Sequence, residues 1–70
     1  MMPITLADIG EEYVIQRICG RPETKKHLED MGFVVGHTVT VMNTVNGNLI
    51  LKVKESRVAV SMEMAQKIMI

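Results

Sequence analysis

The stretch from Lys25 to Val41 constrains the fold of this chain most, because two glycines in it mark changes of chain direction. A charged segment with Leu28 and Met31 on one face is typical of a short helix, and it ends at Gly32. Glycine is common just past a helix because it adopts the left-handed conformation without strain. Gly36 then closes an apolar turn, and a strand follows. The pattern predicts a helix joined rigidly to a β unit, with no room for a catalytic loop.

Short alternating segments predict strands on both sides of this unit. Residues Glu12–Ile18 are rich in β formers and are predicted as one strand, and Pro22 suits the first turn of the helix. Asn46-Gly47 is the strongest hairpin signal, because both residues accept the positive φ of a type I′ turn. Another turn is predicted at Glu55-Ser56, and Ser61 is placed to cap a helical turn before a last strand.

The strands around the Asn46-Gly47 turn have an apolar face. In the strand predicted over residues 38–43, Val39 and Val41 share one face, and beyond the turn Leu49, Leu51 and Val53 do the same. Four or five short strands and one helix suit a small, partly closed barrel with a mainly β core. Seventy residues make one domain, predicted to span 1–70, and the 47% hydrophobic content is sufficient for its core.

The charge balance argues against several partners. Lys and Arg equal Asp and Glu in number, whereas a nucleic-acid binder of this size is expected to be basic, so no nucleic acid is predicted. Residues 31–51 contain no charged side chain, but their glycines, asparagines and threonines predict a hairpin rather than a membrane span. No basic and apolar leader is recognisable at the start. We therefore expect a cytoplasmic protein.

The order of several segments resembles a known family. The run His27–Gly36 (HLEDMGFVVG), followed by Val39 and Val41, resembles the signature of FeoA domains, and Gly47–Val53 and Arg57–Ile68 are similar to that family's later segments. The resemblance covers nearly the whole chain. It implies an SH3-like β-barrel of about five strands with one inserted short α-helix. It also implies a small cytosolic accessory protein of bacterial ferrous iron uptake, whose partner is the cytoplasmic region, including the G domain, of the FeoB membrane transporter.

Metal binding is a natural question for a protein that resembles an iron-uptake family. The candidate ligands are Cys19, His27 and His37, together with nearby carboxylates: Glu23, Glu29 and Asp30. None of them has a recognised metal-ligand spacing, and a tight site needs three or four converging ligands. We therefore expect two solvent-exposed histidines and no cofactor, with weak binding of Fe²⁺ or another divalent transition metal as the alternative.

The predicted interaction surface combines charge with an apolar turn. Lys25, Lys26 and Glu29 lie on the predicted helix, and Phe33, Val34 and Val35 form the turn after it. A small barrel is not expected to bury all three apolar residues, and an exposed apolar turn with a charged rim is typical of an interaction site.

Three functional hypotheses follow. The first is an adaptor that docks on the FeoB transporter's cytoplasmic domain and modulates it without chemistry, since no catalytic motif is recognisable. The second is a domain that binds or senses a transition metal. The third is an SH3-like fragment of an iron-dependent transcriptional regulator, because the resemblance extends to domains at the C-terminal end of such repressors. Free strand edges also allow a homo-oligomer.

Overall fold

Six short strands and two helices make up the chain. The computed structural model describes all seventy residues, Met1–Ile70. In chain order the elements are a 3-10 turn at Ile4–Leu6, β1 at Glu12–Val14, β2 at Arg17–Ile18, α1 at Pro22–Asp30, β3 at Thr38–Val45, β4 at Asn48–Val53, β5 at Ser56–Ser61, α2 at Met62–Ala65 and β6 at Ile68–Met69.

The strands form two antiparallel sheets. One has four strands in the order β1-β3-β4-β5, and the other pairs β2 with β6. The prediction of a single strand over Glu12–Ile18 is therefore wrong, because the chain bends at its middle. The Ile15 N–H donates to the His37 carbonyl beside β1 (2.9 Å), whereas the Gln16 N–H donates to the Met69 carbonyl in the other sheet (2.8 Å). This bend lets one segment join both sheets and close the barrel.

The two hairpins follow the sequence signals closely, with one shift. Asn46 and Gly47 have φ values of 50° and 80°, which confirms the predicted turn between β3 and β4. The next turn lies at Lys54-Glu55, one residue before the predicted position, because Ser56 already pairs with Val53 in the sheet. The prediction of that turn at Glu55-Ser56 is thus wrong by one residue.

A β-bulge interrupts the pairing of β3 with β4. Val41 pairs with Leu51 and Asn43 pairs with Ile50, so Met42 is an extra residue on β3. Val39 and Val41 face the core before the bulge, and β3 continues beyond it to Val45, two residues past the predicted strand.

The barrel interior is apolar. The buried residues are all hydrophobic and form one cluster: Ile4, Ile15, Ile18, Leu28, Phe33, Val39, Val41, Leu49, Leu51, Val53, Val60, Ala65 and Ile68. The predicted apolar faces of β3 and β4 are therefore confirmed. The predicted Ser61 cap is also confirmed, since its Oγ accepts the Met64 N–H at 3.2 Å. The two ends of the chain meet through reciprocal backbone bonds between Met2 and Ile70 (2.9 and 2.8 Å).

Candidate interaction surface

Helix α1 ends in a hydrogen-bonded motif that determines the shape of the following turn. The Gly32 N–H donates to the Glu29 carbonyl (2.9 Å), and the Phe33 N–H donates to the Leu28 carbonyl (3.0 Å). These two bonds, with Gly32 at φ 105°, are the hydrogen bonds of a Schellman motif. The helix prediction that ended at Gly32 is confirmed, and the chain leaves α1 in a defined direction.

Phe33 is buried, contrary to the sequence expectation. Its side chain is fully inaccessible to solvent, as is that of Leu28. In a Schellman motif the residue after the glycine commonly contacts the residue five positions earlier, which here is Leu28. The expectation that Phe33 forms an exposed part of the interaction surface is therefore wrong. The glycine followed by a large apolar residue was the signal that could have placed Phe33 in the core.

The rest of the turn is held from two sides. An ideal Cβ on Gly32 would lie 3.3 Å from Cγ1 of Val53, so the end of α1 is pressed against β4. The Gly36 N–H donates to the Ile15 carbonyl at 2.9 Å. Between these anchors Val34 is half-buried and Val35 is 57% exposed. Val35 is thus an apolar side chain displayed on a rigid turn.

The charged residues of the predicted surface are accessible. Lys25, Lys26 and Glu29 are all exposed on α1, and Lys25 and Glu29 are four residues apart, which puts them on one helix face. We call Lys25, Lys26, Glu29, Val34 and Val35 the α1–turn surface. It keeps five of the six residues predicted from the sequence and loses Phe33 to the core.

The candidate metal ligands Cys19, His27 and His37 lie on separate elements, whereas Glu23, Glu29 and Asp30 lie on α1 with His27. Cys19 is half-buried at the end of β2, and its N–H donates to the Lys67 carbonyl (2.8 Å). His27 is exposed on α1, whereas His37 is half-buried just before β3. No group of three or more His, Cys, Asp or Glu side chains in the structure could hold a metal ion together.

His37 differs from the prediction of two exposed histidines. Its Nδ1 is buried and has no hydrogen-bond partner. Its backbone has a structural role, because the N–H donates to the Val34 carbonyl (3.0 Å) and its carbonyl accepts from Ile15. His37 therefore belongs to the support of the turn.

The structure contains no pocket. Neither helix combines the length and apolar character that crossing a membrane requires. The α1–turn surface combines exposed charges with an apolar side chain on a turn that is held by backbone hydrogen bonds.

The two-sheet barrel with α1 after its second strand belongs to the SH3-like class of small β-barrels. Within that class the chain belongs to the FeoA family, since the model of the FeoA domain matches residues 2–70. A relative from Methanocaldococcus jannaschii, named putative Fe(2+) transport protein A, is 31% identical over 70 residues, which are 100% of this chain and 85% of the relative. The resemblance identified from the sequence is confirmed.

Two solved structures share the fold. The crystal structure of an iron uptake regulatory protein (FeoA) superposes with a TM-score of 0.87 at 24% identity, over 96% of this chain and 89% of that one. The crystal structure of ScaR with bound Cd²⁺ gives a TM-score of 0.86 at 20% identity, over 97% of this chain but 34% of that one. At these identities the two likenesses establish the fold, an SH3-like barrel with an inserted helix.

Truncating Phe33 should separate its core role from the surface role of Val35. We expect Phe33→Ala to lower the free energy of unfolding by about 3–5 kcal/mol, because a large fully buried side chain leaves a cavity. Val35→Ala, on the exposed side of the same turn, should change it by less than about 0.5 kcal/mol. Urea denaturation followed by circular dichroism measures both, and equal losses would contradict the assignment.

Alanine at the two turn glycines should report how tightly α1 is held against the barrel. Gly32 and Gly36 both have a positive φ, so each substitution should cost about 1–3 kcal/mol of unfolding free energy. Gly32→Ala should cost more, because its Cβ would press on Val53 while the space around Gly36 is open. Thermal or urea unfolding gives the comparison, and a larger loss at Gly36 would show that the helix end is not close-packed on β4.

Proposed function

We propose that this chain is a small accessory protein of ferrous iron uptake that docks on the cytoplasmic domain of a FeoB-type transporter and modulates it without doing chemistry. Its membership of the FeoA family supports the link to iron uptake, as does the relative named putative Fe(2+) transport protein A. The proposal places the chain on the cytoplasmic side of the membrane, where that domain lies.

The observation that carries the docking proposal is the exposure of Val35 on a turn whose backbone is fixed at both ends. The hydrogen bonds of Gly32, Phe33 and Gly36 hold the turn before any partner arrives. A preorganised loop loses little conformational entropy on binding, so more of the contact energy appears as affinity. Val35 would be the apolar centre of the contact, with Val34 beside it.

The exposed charges of α1 would supply the rim of the same contact. Lys25 and Lys26 are adjacent exposed cations, and the same helix also carries the exposed anions Glu23, Glu29 and Asp30, so α1 offers charges of both signs. Rim charges chiefly raise the association rate and select the partner's charge. The proposal therefore expects a partner that places carboxylates opposite Lys25 and Lys26 beside an apolar depression, and it expects binding to weaken as salt is added.

Charge reversal on α1 tests the docking surface directly. Calorimetric titration of the purified chain into the cytoplasmic domain of a FeoB-type transporter, with and without guanine nucleotide, should give saturable binding. We expect the double variant Lys25→Glu, Lys26→Glu and the single variant Val35→Asp each to weaken it about tenfold or more, which is about 1.4 kcal/mol.

The matched control is Lys52→Glu, Lys54→Glu, which reverses two exposed cations of β4 and its turn and should leave the affinity within about twofold. Circular dichroism confirms that all variants are folded. If both α1–turn variants bind like the unmodified chain, the docking surface lies elsewhere. If the unmodified chain does not bind, the adaptor proposal fails.

An anaerobic titration with Fe²⁺ separates the adaptor from a metal sensor. Cys19, His27 and His37 lie on different elements, so we expect no saturable heat at micromolar Fe²⁺. Calorimetry on the isolated chain makes the measurement, with His27→Ala, His37→Ala as the comparison. Saturable heat that this double variant abolishes would favour the sensor hypothesis instead.

A further inference from the structure

The two outer strands of the four-stranded sheet each leave one side of their backbone without a partner. In β1 the Ile15 N–H donates to the His37 carbonyl, so Ile15 and, two residues earlier, Tyr13 direct their backbone groups toward β3. Because the bonding direction alternates along an antiparallel strand, Glu12 and Val14 direct their N–H and carbonyl groups away from the sheet.

The same alternation identifies the free groups of β5. The two-residue turn makes Val53 and Ser56 the first bonded pair of the hairpin, so Ser56, Val58 and Val60 bond to β4. Arg57 and Ala59 then direct their backbone groups away from β4. No backbone hydrogen bond from a turn or loop reaches Glu12, Val14, Arg57 or Ala59. Both edges are therefore open to another strand.

The directions and faces of the two edges match each other. All three pairings in the sheet are antiparallel, so β1 and β5 run in opposite directions. A second copy in the same orientation can thus place its β1 antiparallel to β5 of the first. One cross-strand row on the face opposite the core contains Glu12, Thr40, Lys52 and Arg57. The solvent-exposed face of the sheet would therefore continue from one copy to the next.

The charges of the two edges are complementary. Residues 1–16 contain Asp8, Glu11 and Glu12 and no Lys or Arg, and all three acids are exposed. On the other edge Lys52 stands directly opposite Arg57. Like charges in directly opposed positions destabilise a strand pair, and a carboxylate on the free side of Arg57 would offset that repulsion.

We propose that this chain self-associates head to tail, with β1 of one copy added antiparallel to β5 of a second copy. The register that sets all of β1 against β5 places Glu12 opposite Ala59 and Val14 opposite Arg57. Ala59 is small and exposed, so it presents no obstacle to the incoming strand. Arg57 then lies diagonal to Glu12 of the second copy, which is within reach of its long side chain.

This register also covers an exposed apolar residue. Val14 is 45% exposed in the single chain, and the aliphatic stem of Arg57 would lie over it in the pair. A head-to-tail contact leaves one free edge at each end of the assembly, so it grows into a ring or an open chain rather than stopping at a dimer. The contact uses none of the residues of the α1–turn surface, and it stands independently of the docking proposal.

Proline variants test the two edges separately. Ala59→Pro removes an outward N–H and blocks β5, and Val14→Pro does the same to β1, in each case without removing a bond inside the sheet. In sedimentation velocity at low salt, the unmodified chain should gain mass between micromolar and millimolar concentration, while each variant alone stays monomeric. Mixed together, the two variants should form a 1:1 heterodimer that grows no further, since each retains one complementary edge.

The controls are Ala59→Val and Val14→Thr, which keep the N–H groups and should keep the association. A monomeric unmodified chain at every concentration would overturn the proposal. So would a Val14→Pro variant that dimerises by itself, because that result would mean a symmetric contact between two β5 strands.

Charge variants provide a second test if a proline variant does not fold. Glu12→Arg and Arg57→Glu should each weaken the association about tenfold, because each places like charges at the contact. The double variant carrying both changes restores opposite charges and should recover most of the affinity. A double variant no stronger than the single variants would contradict the pairing of these two edges.

Discussion

The end of helix α1 is the feature on which most of the remaining structure depends. An isolated nine-residue helix is not stable in water, so α1 must gain its stability from contacts with the barrel. Leu28 and Phe33 provide them as members of the buried core, and the two Schellman hydrogen bonds fix the backbone between these residues. The same motif gives the direction of the turn that carries Val35 and begins β3. The hydrogen-bonded end of α1 therefore accounts for the packing of the helix, for the direction of the chain after it and for the position of the proposed docking surface.

Closure of the barrel depends on a second local event, the bend at Ile15-Gln16. The segment before the bend pairs with β3, and the segment after it pairs with β6. The reciprocal bonds between Met2 and Ile70 then bring both ends of the chain into the smaller sheet. This arrangement gives seventy residues a single apolar core. It also leaves β1 and β5 as the free edges of the larger sheet.

The proposed functions of this chain depend on surfaces and on the rigidity beneath them. The α1–turn surface offers an exposed apolar residue in the turn and cations on the preceding helix, and the sheet edges offer unpaired backbone groups with opposite charges. The two use different residues, so one copy can contact a transporter domain while it contacts another copy. An assembly of this kind would present several α1–turn surfaces at once, which raises the effective concentration of a partner that has more than one site.

Much of the fold was predictable because single residues encode it. Asn46-Gly47 accepts the positive φ of the hairpin turn, Gly32 accepts that of the helix end, and Ser61 supplies a hydrogen-bond acceptor to α2. Alternation along β4 likewise placed Leu49, Leu51 and Val53 in the core. Such preferences act within a few residues, so they can be recognised without knowing what lies nearby in space.

The site was only partly predictable, since burial depends on residues far apart in the chain. Lys25, Lys26 and Val35 are exposed as expected, but Phe33 is buried in the core and His37 lies half-buried. The sequence by itself determined where the chain turns and which strand faces are apolar, because those are local conformational and periodic properties. Only the tertiary structure decided that Glu12–Ile18 divides between two sheets and that Phe33 is buried. The division depends on which distant strands pair with each part of the segment, and the burial depends on which distant side chains pack around the end of α1.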